Sequence, residues 1–99
     1  MNTILLEAIA RNLCVEAVYN KVRMILAPHI LYTRHDELFV DAVALEKDKR
    51  APRELKLGTF KLAGLSEVAL TERVFAREDL FDPADDKYAG VTLFAVEAA

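Results

Sequence analysis

Cysteine occurs once, tryptophan is absent, and glycine and proline occur three times each. Each scarcity excludes something. The single Cys14 cannot form a disulfide within these residues or build a cysteine-rich zinc site. Flanked by Leu13 and Val15, it reads as a small buried hydrophobe rather than a reactive thiol. Three glycines supply no phosphate-cradling loop, and there is no G-x-S-x-G nucleophile elbow. No apolar run approaches the roughly 20 residues of a membrane-spanning helix. The early acid Glu7 and the lack of a basic leading segment argue against a secretory signal. The expected setting is therefore the reducing cytoplasm, with no membrane partner. A net charge of −3 is too small, and of the wrong sign, for nucleic-acid binding through bulk charge. Local basic patches stay open.

What is present is apolar and strand-like. Hydrophobic residues make up 54% of the chain, enough to fill one core, and 99 residues suit a single domain over 1–99. Val15 to Val43 organise it. Val15, Ala17 and Tyr19 alternate with Glu16 and Val18, and the alternation restarts with Val22, Met24 and Leu26. A period of two marks strands with one better-buried face. Asn20-Lys21 between them suits a two-residue hairpin turn. Pro28 cannot donate to a ladder, so the second strand should bend or reach an edge there. The expected strands run over 14–19, 22–31 and 37–46, with Arg34-His35-Asp36 as a polar tip.

Residues 3–12 read as a short helix. Thr3 serves as its cap, and Ile4, Leu5, Ala8 and Ile9 form an apolar stripe that must pack on the sheet. After the charged loop 46–52, a fourth strand over 54–57 meets Gly58, expected as a bulge or bend, and resumes through Phe60 and Leu62. A second bend is expected at Gly64, and a last barrel strand over 65–74. A strand pair bent this strongly closes a small sheet into a barrel over about 14–75. In the C-terminal extension 76–99, residues 77–82 suit a helical turn. Residues 91–97 suit a strand or a helix, with Val, Thr and Phe favouring the strand.

The order of these features resembles the WYL domain. The helix carries Ala8-Ile9, one strand ends in Tyr19, and Pro28-His29 precedes Ile30-Leu31. Leu38-Phe39-Val40 stands in the place of the Trp-Tyr-Leu tripeptide, and Arg53-x-Leu55-Lys56-Leu57 follows. The resemblance spans about residues 4–75. It implies a mainly β, small α+β fold: an N-terminal helix followed by a five-stranded Sm-like or SH3-like β-barrel. It also implies a ligand-sensing module of bacterial transcription regulation that binds a nucleotide or short single-stranded nucleic acid and acts through a separate regulator protein. By correspondence, Tyr19, His29, Arg53 and Lys56 match the ligand-facing surface, and Arg23 lies near a family arginine. The chain departs from the pattern in its short hairpin after Tyr19, its altered tripeptide, and Gly58-Thr59 where the family has Asp-Arg. Lys61, on the same strand face as Thr59, stands in for the lost charge.

Each candidate has a plainer reading. His29 can recognise a phosphate or base, or simply bond a backbone carbonyl. Tyr19 can stack on a base or close a strand as half core. Arg53, Lys56 and Lys61 can clamp phosphate or form a solvated face beside Glu54. A metal site from His29, His35 and Asp36 or Asp41 has no supporting spacing, so no cofactor is expected. The acids Asp82, Asp85 and Asp86 fall in a solvated loop, where nothing raises a pKa for acid–base work. No catalytic constellation emerges, and the expectation is a non-enzyme. The alternative to a sensor is an interaction or homo-oligomeric assembly module, with the 91–97 run added to a neighbour's open sheet edge.

Overall fold

The computed structural model describes residues 3–97. It contains helix α1 (Thr3–Arg11) and strands β1 (Leu13–Tyr19), β2 (Val22–Arg34), β3 (Glu37–Lys47), β4 (Leu57–Lys61), β5 (Leu65–Val74) and β6 (Thr92–Ala95). Short 3-10 turns occupy Leu62–Gly64 and Asp86–Tyr88. All pairings are antiparallel, and the strand order is β4-β3-β2-β1-β5, with β6 beside β2. The fold is therefore mainly β, with one helix.

Helix α1 buries Leu5, Ala8 and Ile9 against β1, β2 and β5. Burying the Leu and Ile side chains contributes about 1.5–3 kcal/mol each, which a nine-residue helix needs because it would not persist alone. Thr3, expected as the cap, is the first helical residue; the position before it lies outside the described residues. Asn12 ends the helix in the left-handed region, at φ 53°, a conformation asparagine tolerates better than most side chains.

Two of the tight turns are made without glycine. Asn20-Lys21 joins β1 to β2 with φ values of 49° and 66°, and His35-Asp36 joins β2 to β3 with 52° and 63°. Positive φ at both central residues is the type I′ geometry, whose twist matches that of the strands it connects. Asn, Asp and His adopt it at modest cost.

Pro28 neither ends nor breaks β2. It sits where β2 exchanges one neighbour for another. Upstream, Val22 to Leu26 pair with β1; downstream, Ile30 to Tyr32 pair with β6. On the β3 side the register shifts between Pro28 and Ile30. Pro28 pairs with Ala42 at the edge of that shift, where the ladder is already irregular and a missing N–H is tolerated. β4 also differs from the expected broken strand. It pairs with β3 in continuous register from Leu57 to Lys61, and Gly58 faces Ala42 without a bulge. The Phe60 ring lies over Gly58, only 3.1 Å from where a Cβ would stand. The glycine there gives the ring close approach rather than a bend.

The sheet is curled but open. Flat strands spaced about 4.8 Å apart would put β1 and β4 roughly 14 Å from one another. Yet the Tyr19 and Phe60 rings meet edge-on at 5.1 Å, so the sheet wraps around that face. The expected closure of five strands into a barrel is not seen. β4 and β5 are the two ends of the order and do not pair; the turn Leu62–Gly64 lies between them, with Gly64 against the Tyr19 ring. Cross-strand partners share a face. Leu31, Val40 and Phe60 thus line the concave side with Tyr19, and Tyr32, Phe39, Asp41, Thr59 and Lys61 lie on the convex side.

Residues 75–91 cover part of that convex face and bury Phe75, Phe81 and Tyr88. Within them, the helical turn expected over 77–82 does not form; a β-turn over 78–81 is closed by the Phe81 N–H donating to the Glu78 carbonyl at 3.1 Å. The 91–97 run forms a strand, β6, which pairs with β2 of its own chain. No described helix is long and apolar enough to cross a membrane.

Candidate functional site

The polar centre of the molecule is Asp41. It stands in the apolar run Leu38-Phe39-Val40-Asp41-Ala42-Val43 of β3 and is fully buried. Burying an isolated carboxylate costs several kcal/mol, so its partners decide whether it is tolerated. Tyr32 Oη donates to Oδ1 at 2.7 Å, Lys87 Nζ donates to Oδ2 at 2.8 Å, and Tyr88 Oη also donates to Oδ2. Tyr32 arrives from β2, while Lys87 and Tyr88 arrive from the 3-10 turn Asp86–Tyr88. Asp85 starts that turn by accepting the Lys87 N–H at 3.0 Å.

The electrostatics follow from these contacts. Burial alone would raise the Asp41 pKa, but bonds from Lys87, Tyr88, Tyr32 and Thr59 outweigh it and hold the carboxyl below its usual range. Burial, and then the hydrogen bond and charge of Asp41, push the Tyr88 phenol well above its ordinary value. Lys87 is partly desolvated, yet its bond to Asp41 and the carboxylate charge raise its pKa on balance. Its ammonium also approaches Thr59 Oγ1 at 3.2 Å and lies 5.6 and 5.3 Å from the Tyr32 and Tyr88 ring centres. The cluster is an ionised, fully bonded pin that fastens the C-terminal segment to the sheet.

A second pin lies at His29, also fully buried. Nδ1–H donates to the Ala27 carbonyl at 2.8 Å, and Nε2 accepts the Glu78 N–H at 3.0 Å, which assigns the proton to Nδ1. The ring packs against Phe75 and Phe81, with centres 5.1 and 5.4 Å away. Burial lowers its pKa, opposed by the bond to Ala27.

The six residues singled out from the sequence do not converge. Tyr19 lies half-buried on the concave face against Phe60 and Gly64. Arg23 pairs with Val18 across the ladder, and so faces the opposite side from Tyr19; it bonds Glu16 at 2.6 Å and Glu67 at 3.4 Å. Lys61 is on the convex face and bonds Glu37 at 3.0 Å. The ring nitrogens of His29 are both spent internally. Arg53 and Lys56 are exposed on the β3–β4 connector and form no ion pair among the described residues. Among the described residues, no group of three His, Cys, Asp or Glu side chains is placed to hold a metal ion.

Sequence reasoning did not single out Lys87 and Tyr88, which lie in a polar loop with no periodic signal. Asp41 had a signal: a lone carboxylate amid apolar strand residues is rarely buried unless paired. With this geometry established, comparison with family models, curated proteins and solved structures returns no match for the chain.

Proposed function

We propose that this chain is a non-catalytic regulatory module that binds a nucleotide or short single-stranded nucleic acid and acts through a separate protein. The reading takes the curled sheet and its leading helix as a half-open form of the Sm-like barrel of WYL domains. The observation that carries it is the β3–β4 connector. Residues 47–56 hold five cations, Lys47, Lys49, Arg50, Arg53 and Lys56, against two acids, Asp48 and Glu54, in a chain of net charge −3. All five cations are exposed. A mobile anion meets Arg53 and Lys56 without displacing an internal carboxylate, and arginine binds phosphate bidentately.

The test is fluorescence anisotropy with labelled cyclic dinucleotides and short oligonucleotides, comparing wild type with Arg53→Ala. The expected result is saturable binding that salt weakens and Arg53→Ala reduces by about tenfold or more. Binding that ignores salt, or is unchanged in the variant, would remove the connector from the reading.

A second reading, a homo-oligomeric assembly module, draws on a different observation. The outer edges of β4 and β5 pair with no other strand among the described residues, and Val74 on β5 is 70% exposed. Free edges of this kind accept a strand from another chain. Sedimentation at rising concentration tests it; a monomer throughout would exclude it.

A further inference from the structure

We propose that the depression beside the β2–β3 turn is a binding site for a small phosphorylated ligand, distinct from the connector. The depression has a volume of about 570 Å³ and is lined by Tyr32, Thr33, Arg34, His35, Lys87, Ala89 and Val91. That volume falls within the roughly 300–1,000 Å³ of ordinary small-molecule sites. It leaves room beyond a bare phosphate for a further group of sugar size.

The ionised groups of the lining are Arg34 and Lys87, and no carboxylate lines the depression; Asp41 lies behind Lys87 as its partner. The turn also carries acids. Its acidic half, Asp36 and Glu37, lines a separate depression together with Leu38, Lys61, Leu62 and Ala63. Glu37 is the cross-strand partner of Arg34, but it is engaged by Lys61 at 3.0 Å and does not close on the guanidinium. Arg34 is exposed and forms no ion pair among the described residues, leaving its guanidinium fork open to a phosphate.

Lys87 supplies the fixed part of the site. The ammonium is held by Asp41 at 2.8 Å, by Thr59 at 3.2 Å and by the Tyr32 hydroxyl, so it offers a ligand a fixed charge rather than a free donor. The two tyrosine rings beneath Nζ and the buried carboxylate hold the cation in place. Its position is thus set before a ligand arrives, which lowers the ordering cost of binding. Ala89 and Val91 add an apolar wall for the rest of the ligand.

The test is two-dimensional amide NMR titration with ribose 5-phosphate, and with ribose as the uncharged control. Saturable shifts are expected at Arg34, His35, Lys87, Ala89 and Val91, and none with ribose. Arg34→Ala, at an exposed turn position that leaves the core intact, should weaken binding by about tenfold or more, while Arg53→Ala should leave it unchanged. The last comparison separates this site from the connector, so either can fail alone. The proposal is overturned by no shifts at those amides up to about 10 mM ligand, by shifts confined to residues 47–56, or by equal affinity in Arg34→Ala.

Discussion

Replacing Asp41 with asparagine tests the energetic account of the C-terminal segment. The amide is close in shape to the carboxylate but carries one acceptor oxygen and one donor nitrogen. If its oxygen takes the Oδ1 place, the Tyr32 bond at 2.7 Å survives. The NH₂ then occupies the Oδ2 place, facing Tyr88 and Lys87. The Tyr88 hydroxyl can rotate and accept, but the ammonium has no lone pair to offer. The loss is one charge-assisted hydrogen bond, about 1.5–3 kcal/mol, reduced because the Lys87 side chain is 38% exposed and can turn to water. We expect Asp41→Asn to cost about 2 kcal/mol, lowering Tm by roughly 8–16 °C for a domain of this size. Asp41→Ala should cost more, about 3–5 kcal/mol, because both phenols also lose their acceptor inside the protein. Thermal and urea unfolding followed by circular dichroism measure both. Hydrogen exchange at residues 85–91 should accelerate in Asp41→Asn more than in α1. Unfolding free energies within about 0.5 kcal/mol of wild type would refute the pin. The pH dependence has a definite sign. The folded carboxyl has a lowered pKa, so its stabilisation is complete above the ordinary carboxylate range and is lost as pH falls through the lowered value. The difference between wild type and Asp41→Asn should shrink over that acidic window.

His29 gives a second, milder pH effect. Its folded pKa is lowered from 6.5, so its contribution is complete above 6.5 and declines as pH falls through the folded value; NMR should show protection of the Glu78 amide, the donor to Nε2, falling with imidazole protonation. Gly64→Ala places a Cβ 2.9 Å from the Tyr19 ring and should cost about 1–3 kcal/mol by overpacking. Gly90→Ala meets nothing within 4 Å but sits at φ +73°, and should cost about 1 kcal/mol from backbone conformation alone; equal packing changes by NMR in the two variants would contradict the distinction. Cys14 is buried and desolvation raises its pKa, so a thiol reagent should modify it only at the rate of unfolding.

Local pattern made β1, β2, β3 and the Asn20-Lys21 turn legible, because alternation and turn chemistry are properties of neighbouring residues. The apolar stripe of α1 was legible for the same reason. The fate of Pro28 was not: whether a proline breaks a strand depends on which neighbours flank it, and the exchange of β1 for β6 is a long-range fact. Gly58 was misread as a bend because a glycine that lets Phe60 approach closely looks the same in sequence as one that serves flexibility. The six candidate residues were scattered over two faces and a connector, since resemblance orders residues along a chain without setting the twist that aims them.

The sequence by itself determined a strand-rich chain with one helix, one thiol and too few glycines for a phosphate loop. It did so because composition and periodicity act at short range. Only the tertiary structure decided that the sheet stays open, and that His29 serves the core. It also decided that Asp41, Tyr32, Lys87 and Tyr88 form one cluster. Bonds between Asp41 and the 3-10 turn join residues 46 and 47 positions apart. A buried carboxylate is stable only when folding delivers those partners together.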